Sequence, residues 1–316
     1  MPDDGFLAII VTALLIDAVA GDPASLYRAL PHPVVVFGWA IGFLDRHLNR
    51  GGFGAGPKRV LGAAAIFALL AVSLGFGAWL SGVLAAFQYG GAAEALLVST
   101  LIAQNSLYRH VRQVAAALEG GGIDAGRDAV AMLVGRDTAA LDEAGVGRAA
   151  TESLAENYSD GVVAPVFWAL LLGLPGIIAY KMLNTADSMI GHRNPQHREF
   201  GMAAARLDDI ANYIPARLAA LFLAAAGFGR GLGTAFRDGS RHRSPNAGYP
   251  IAAIAGSLGL KLSGPRTYDG VEGEEPWIGS GRQAATPADI RAGLRLYVRA
   301  CVLLFAAMVI AALLAG

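Results

Sequence analysis

Cysteine is all but missing: Cys301 stands alone among 316 residues. That excludes both a disulfide framework and a thiolate zinc site. Cys301 lies inside an apolar run and reads as a small lipid- or core-facing residue. Charge is scarce too. Only 16% of residues are charged, where an average soluble domain carries roughly 25%. The 25 basic and 25 acidic residues cancel, so the basic footprint of a nucleic-acid-binding domain is absent. Lysine occurs only at Lys58, Lys181 and Lys261, leaving arginine to carry the positive charge. No Gly-x-x-x-x-Gly-Lys run exists, so there is no Walker P-loop. The glycine-rich segment 227–233 follows no strand pattern and misses the dinucleotide fingerprint. No basic stretch precedes the first apolar run, so a cleaved signal is not expected.

What remains is membrane-grade sequence. The chain is 54% hydrophobic with 41 glycines, and its mean hydropathy is +0.47. Small residues at this density suit closely packed transmembrane helices. The expected fold is all-α: one integral polytopic membrane domain, a helical bundle with short or re-entrant helices and cytoplasmic amphipathic helices. Spans are expected at about 6–20, 60–87, 92–107 and 297–315, the second uncharged throughout. Residues 161–183 are apolar but interrupted by Leu174-Pro175-Gly176, which favours a re-entrant hairpin over a straight crossing. Regions 108–160, 184–217 and 229–296 are expected in the cytoplasm, because loops 45–59 and 229–250 are rich in arginine. The Gly120–Gly122 run should break a helix.

Three polar clusters stand between the apolar walls. Glu152, Glu156 and Asp160 recur every four residues, an acidic stripe if all lie on one helix. Asn157 lies beside it, and Arg148, one turn earlier, offsets part of the charge. Asn184, Asp187 and Ser188 form a second face, with Lys181 one turn before. Asp208 and Asp209 follow Arg206, with Asn212 one turn on. Carboxylates in such surroundings need pairing, a cation or a wet cavity. Hard oxygen donors suit Mg2+, which takes one or two carboxylates plus substrate phosphates. The metal ligands expected are Asp187, Asp208 and Asp209. Lys181, Arg206 and Arg217 are placed to hold phosphates. Structural pairing of Arg206 with Asp209 and of Lys181 with Asp187 is the plainer alternative. His192 and His197 are five apart and form no helical zinc pair.

The motifs GDP (21–23), HPV (32–34), VGRDT (134–138), ESLAENYSDGVVAP (152–165), YKMLNTADSMIG (180–191), ARLDD and IPAR (205–217), SPNAGYP (244–250) and PWIG (276–279) occur in this order. Together they resemble the CobD/CbiB family of cobalamin biosynthesis, the adenosylcobinamide-phosphate synthases. The resemblance implies an inner-membrane enzyme that joins adenosylcobyric acid to aminopropanol or its phosphate through an amide bond. It implies ATP as co-substrate, Mg2+, and association with enzymes acting later in nucleotide-loop assembly. The catalytic candidates are Glu152, Glu156, Asn157, Asp160, Asn184 and Asp187. Substrate or phosphate binding falls to Arg136, Lys181, Arg206, Arg217, Ser244, Asn246 and His32. Two departures are visible: Tyr158 stands where the family more usually has Thr, and Ile251 where an acidic residue is common. The residues alone leave two other classes open, an intramembrane prenyl or diphosphate transferase using Asn184, Asp187, Asp208 and Asp209, and a carrier or scaffold with an acidic ion pathway.

Overall fold

A computed structural model describes residues 4–22, 27–28, 30–135, 137–192, 194–268, 271–273 and 275–315. The fold is all-α, and its helices follow the apolar runs. In chain order they are α1 (Asp4–Ala20), α2 (Pro33–Leu48), α3 (Ala55–Ala85), α4 (Gly90–Ser99), α5 (Gln104–Ala131), α6 (Glu143–Tyr158), α7 (Ala164–Ile190), α8 (Met202–Ala211), α9 (Tyr213–Ala226), α10 (Leu232–Asp238), α11 (Gly248–Leu258) and α12 (Pro287–Ala315). A π-helical turn, Ser159–Val163, joins α6 to α7. A 3-10 turn, Gly239–Arg241, and four short strands complete the described elements. Strand β1 (Leu262–Ser263) pairs antiparallel with β4 (Trp277–Ile278), and β2 (Arg266–Tyr268) with β3 (Val271–Gly273). Among the described residues, three helical runs are long and apolar enough, by length and composition, to cross a membrane: Ala55–Ala85, Glu143–Ile190 and Pro287–Ala315.

The chain divides into two compact units where one domain was expected. The first comprises Met1–Ala103, Ala164–Asn212 and Met308–Gly316, the second Gln104–Val163 and Tyr213–Ala307. Residues 92–107 do not make one helix either, since α4 ends at Ser99 after 10 residues. At 1.5 Å per residue that is about 15 Å, half a bilayer core.

In the first unit, α3 packs on α7 through its glycines. A Cβ at Gly77 would sit 2.6 Å from Pro175 Cα, and one at Gly62 would overlap the Phe200 carbonyl. Ile41, Ile66, Tyr180, Leu183, Ile190 and Phe200 fill the core here. Helix α7 is not a straight rod. Gly173 has φ 69° and ψ −154°, a region open essentially to glycine alone. A Cβ on Gly176 would overlap the carbonyl of Trp168. Eight residues along a straight helix are about 12 Å apart, so the chain folds back on itself at Gly173. The outer side of α3 keeps Phe67, Val72, Phe76 and Trp79 exposed, as lipid contact requires.

The second unit has the same device. Helix α5 breaks at Gly122 (φ 74°, ψ −164°), the last glycine of the 120–122 run. The amphipathic α6 buries Val146, Ala150 and Leu154. Tyr158 meets Tyr297 edge-on with ring centroids 5.5 Å apart, and the Tyr297 hydroxyl donates to the Gln104 carbonyl at 2.9 Å.

Candidate active site

The first unit brings the second and third polar clusters together. Folding at Gly173 carries the far arm of α7, with Tyr180, Asn184 and Asp187, against α8. Asp208 on α8 is buried, only 8% exposed. Asn212 donates to its Oδ2 at 2.8 Å and Asn184 to its Oδ1 at 3.5 Å. The Tyr180 hydroxyl donates in turn to Asn212 Oδ1 at 2.9 Å, which fixes the amide's orientation. Burial raises the Asp208 carboxyl, the charges of Asp187 and Asp209 raise it further, and the two amides oppose them, leaving it at about 7. Three aspartates thus act on one another. Arg206, on the same helix, is exposed. No three His, Cys, Asp or Glu side chains converge as a metal site among the described residues. A cation here would be held by fewer protein carboxylates, with substrate oxygens completing its shell.

The acidic stripe is not one continuous face. Helix α6 ends at Tyr158, and Asp160 lies in the π-turn, whose i→i+5 bonds insert a residue and rotate the next stretch of chain. Glu152 is 5% exposed and accepts from the Ser263 backbone N–H at 2.8 Å. Ser263 has φ 59°, so Glu152 helps to hold a strained backbone position. Glu156 and Asn157 are exposed, and Asn157 donates to the Ser153 carbonyl at 2.9 Å. Arg148 donates to the Gln283 carbonyl at 2.8 Å and lies 5.6 Å over the Trp277 ring.

Arg217 and the SPNAGYP loop do meet in the second unit. Its Nη1 donates to Asn246 Oδ1 at 2.7 Å and to the Tyr213 carbonyl at 2.9 Å, and Nη2 to the Pro245 carbonyl at 3.1 Å. The guanidinium lies 3.7 Å from the Tyr213 ring centroid and 4.0 Å from that of Tyr249. These contacts make Arg217 a clamp on the loop. Ser244 Oγ accepts from the N–H groups of Asn246 and Ala247, at 3.2 and 3.1 Å, and shapes the turn. His32 caps α2, Nδ1 accepting from Val34 N–H at 3.2 Å while Nε2 lies 3.5 Å from Asp22 Oδ1. Arg136 lies outside the described residues.

The family model described as CobD/Cbib protein matches residues 10–297. A cobalamin biosynthesis protein CobD from Sinorhizobium sp is 52% identical over 305 residues, covering 93% of this chain and 94% of that one. The CobD of Rhizobium meliloti (strain 1021) is 50% identical over 319 residues, 97% of each chain. A CobD of Rhodobacter capsulatus is 45% identical over 298 residues, 93% of this chain and 94% of that one. The chain belongs to the CobD/CbiB family. Its role is in cobalamin biosynthesis. No solved structure matches it.

Three groups in this CobD/CbiB protein are not evident from sequence. Tyr180 joins the Asp208 network from 32 residues away in the chain, and nothing local announces that. Asp238, 2% exposed, accepts from Arg237, from Arg241 and from the Gly279 N–H at 3.0 Å. The Arg237 hydrogen bond outweighs its burial and holds its carboxyl down at about 2. The PWIG motif was the available signal, since Gly279 is its glycine. The third group is the pair His197 and Asp45, 3.3 Å apart.

Proposed function

We propose that the protein joins the free carboxylate of adenosylcobyric acid to aminopropanol or aminopropanol phosphate, consuming ATP, to give adenosylcobinamide or its phosphate. The observation that carries the reading is buried Asp208, bonded by the Asn184 and Asn212 amides at the meeting of α7 and α8, with exposed Arg206 on its helix. A buried carboxylate among like charges is stabilised by a cation, and phosphate oxygens complete that cation's shell. One or two of Asp187, Asp208 and Asp209 would hold Mg2+ by their hard oxygen donors, with substrate oxygens completing its shell. Bound there, Mg2+ would neutralise charge on the phosphoryl group in transfer.

The protein's own groups do the rest. Arg206 and Lys181 hold the phosphates by charge-assisted hydrogen bonds. Asn212, oriented by Tyr180, keeps Asp208 turned toward its neighbours. The substrate carboxylate attacks the terminal phosphorus of ATP, giving an acyl phosphate and ADP. The amine nitrogen then attacks the acyl carbon, the C–O bond to phosphate breaks, and the amine proton leaves to a carboxylate base. The site faces the cytoplasm of the inner membrane, where ATP and the corrinoid are available.

The test is turnover by the purified full chain in detergent with corrinoid labelled with 18O in the free carboxylate. The expected result is the amide product, with label appearing in inorganic phosphate. Product without label in phosphate rules out the acyl phosphate, and no product with either amine rules out the ligase reading.

A further inference from the structure

The two halves of the Asp208 cluster lie on different helices, and the segment between them, 191–201, is strapped to α2 and α3. His197 Nε2 lies 3.3 Å from Asp45 Oδ2, with the two side chains only 12% and 16% exposed. A carboxylate can only accept, so Nε2 carries the proton in this pair. The other oxygen of Asp45 accepts from Asn49 Nδ2 at 2.9 Å, and the same amide donates to the Gln196 carbonyl at 3.0 Å. Arg59 pairs with Glu199. Phe200 is 1% exposed, its carbonyl where only glycine fits at position 62. Within the segment, Asn194 Oδ1 accepts from His197 N–H at 2.8 Å, and Gly201 N–H donates to the His197 carbonyl at 2.7 Å. A Cβ at Gly201 would overlap the Ile190 carbonyl, so both ends of the segment are drawn together.

We propose that His197 is a positioning residue: through Asp45 and Asn49 it locks segment 191–201, and so fixes Asp187 relative to Asp208 for cation and phosphate binding. This rests on the Mg2+–phosphate reading above. The strap leaves Asp187 four residues before Gly191 and delivers Asp208 seven residues after Gly201, and no other covalent link joins α7 to α8. Supporting groups around metal ligands typically govern about 10- to 100-fold in metal affinity. His197 touches no reacting atom, and its effect is indirect.

The test is calorimetric titration of Mg2+ with ATP present, on the full chain in detergent, alongside the melting temperature. His197→Ala is expected to weaken Mg2+ binding about tenfold. His197→Gln, which keeps an N–H donor toward Asp45, should restore most of it. If His197→Ala does not fold, Asn49→Ala removes the half-buried partner amide and should weaken binding in the same direction. Mg2+ affinity within twofold of wild type in these variants, while Asp208→Ala abolishes binding, overturns the proposal. Unchanged affinity in Asp208→Ala as well would instead overturn the Mg2+ reading on which it rests. A fall in melting temperature with intact affinity makes the strap purely structural and likewise overturns the proposal.

Discussion

Two buried aspartates, Asp208 and Asp238, show how surroundings decide what a residue is for. Asp238 has two arginines and a backbone N–H, so the fold favours its charged form. Its folded carboxyl, at about 2, lies below the unfolded value, roughly 3.9 for Asp. The stability it gives is therefore present above about pH 4 and lost as pH falls through 2. Asp208 is the reverse case. Raised to about 7, it favours folding fully only below the unfolded pKa, and that contribution is lost as pH rises through 7. With EDTA present, the melting temperature should fall between pH 5 and 8 by more in wild type than in Asp208→Asn. Mg2+ with ATP should flatten the wild-type profile. Identical pH slopes in wild type and Asp208→Asn would remove Asp208 from the account. Arg217 makes a separate case: held by Asn246, two carbonyls and two tyrosine rings, its loss should loosen the 244–250 loop. Arg217→Lys, lacking the planar fork, should lower the melting temperature nearly as far as Arg217→Ala. Full recovery by lysine would show that charge alone matters there.

At the scale of elements, apolar runs are enough to place α1, α3 and α12 near 6–20, 60–87 and 297–315, because burial in lipid is a local property of sequence. The end of α4 at Ser99 was not legible, nor the π-turn at Ser159–Val163, because both answer to packing partners distant in the chain. The fold-back at Gly173 was half legible: Pro175 and Gly176 marked a break, but the residue that turns is Gly173, whose φ of 69° only the backbone reveals. Glycines in α3 give a clean test of how that helix meets α7. Gly77→Ala would put its Cβ 2.6 Å from Pro175 Cα, while Gly75 has nothing within 4 Å. Gly77→Ala should lose folded protein in a detergent thermal-shift assay. Gly75→Ala should be neutral or gain about 0.5–1 kcal/mol from helix propensity. Equal effects at the two positions would contradict the packing.

For the molecule as a whole, the site was legible as motifs and not as an arrangement. Asn184, Asp187, Asp208 and Asp209 announced themselves by composition, whereas Tyr180 and His197 became visible only once α7 folded back and the 191–201 segment was strapped down. The stripe through Glu152, Glu156 and Asp160 failed as a single face for the same kind of reason, a rotation at the π-turn. Since Asn49 bonds the Gln196 carbonyl, positions 50 and 194 should report the same side of the membrane, and the proposal from arginine bias is that this side is cytoplasmic. Single cysteines at Arg50 and Asn194, with Cys301 replaced by Ala, should react with an impermeant thiol reagent only in inside-out vesicles. Labelling of either in right-side-out vesicles would reverse the assignment. The central claim is that Asp208 is kept in an unfavourable charged setting for chemistry and not for stability. The most direct test measures melting temperature and amide-forming turnover together on Asp208→Asn at pH 8, without added metal for the first and with Mg2+ and ATP for the second. The expected result is a melting temperature equal to or above wild type, with turnover down at least about 100-fold. A variant that melts lower yet turns over within a few-fold of wild type would contradict it.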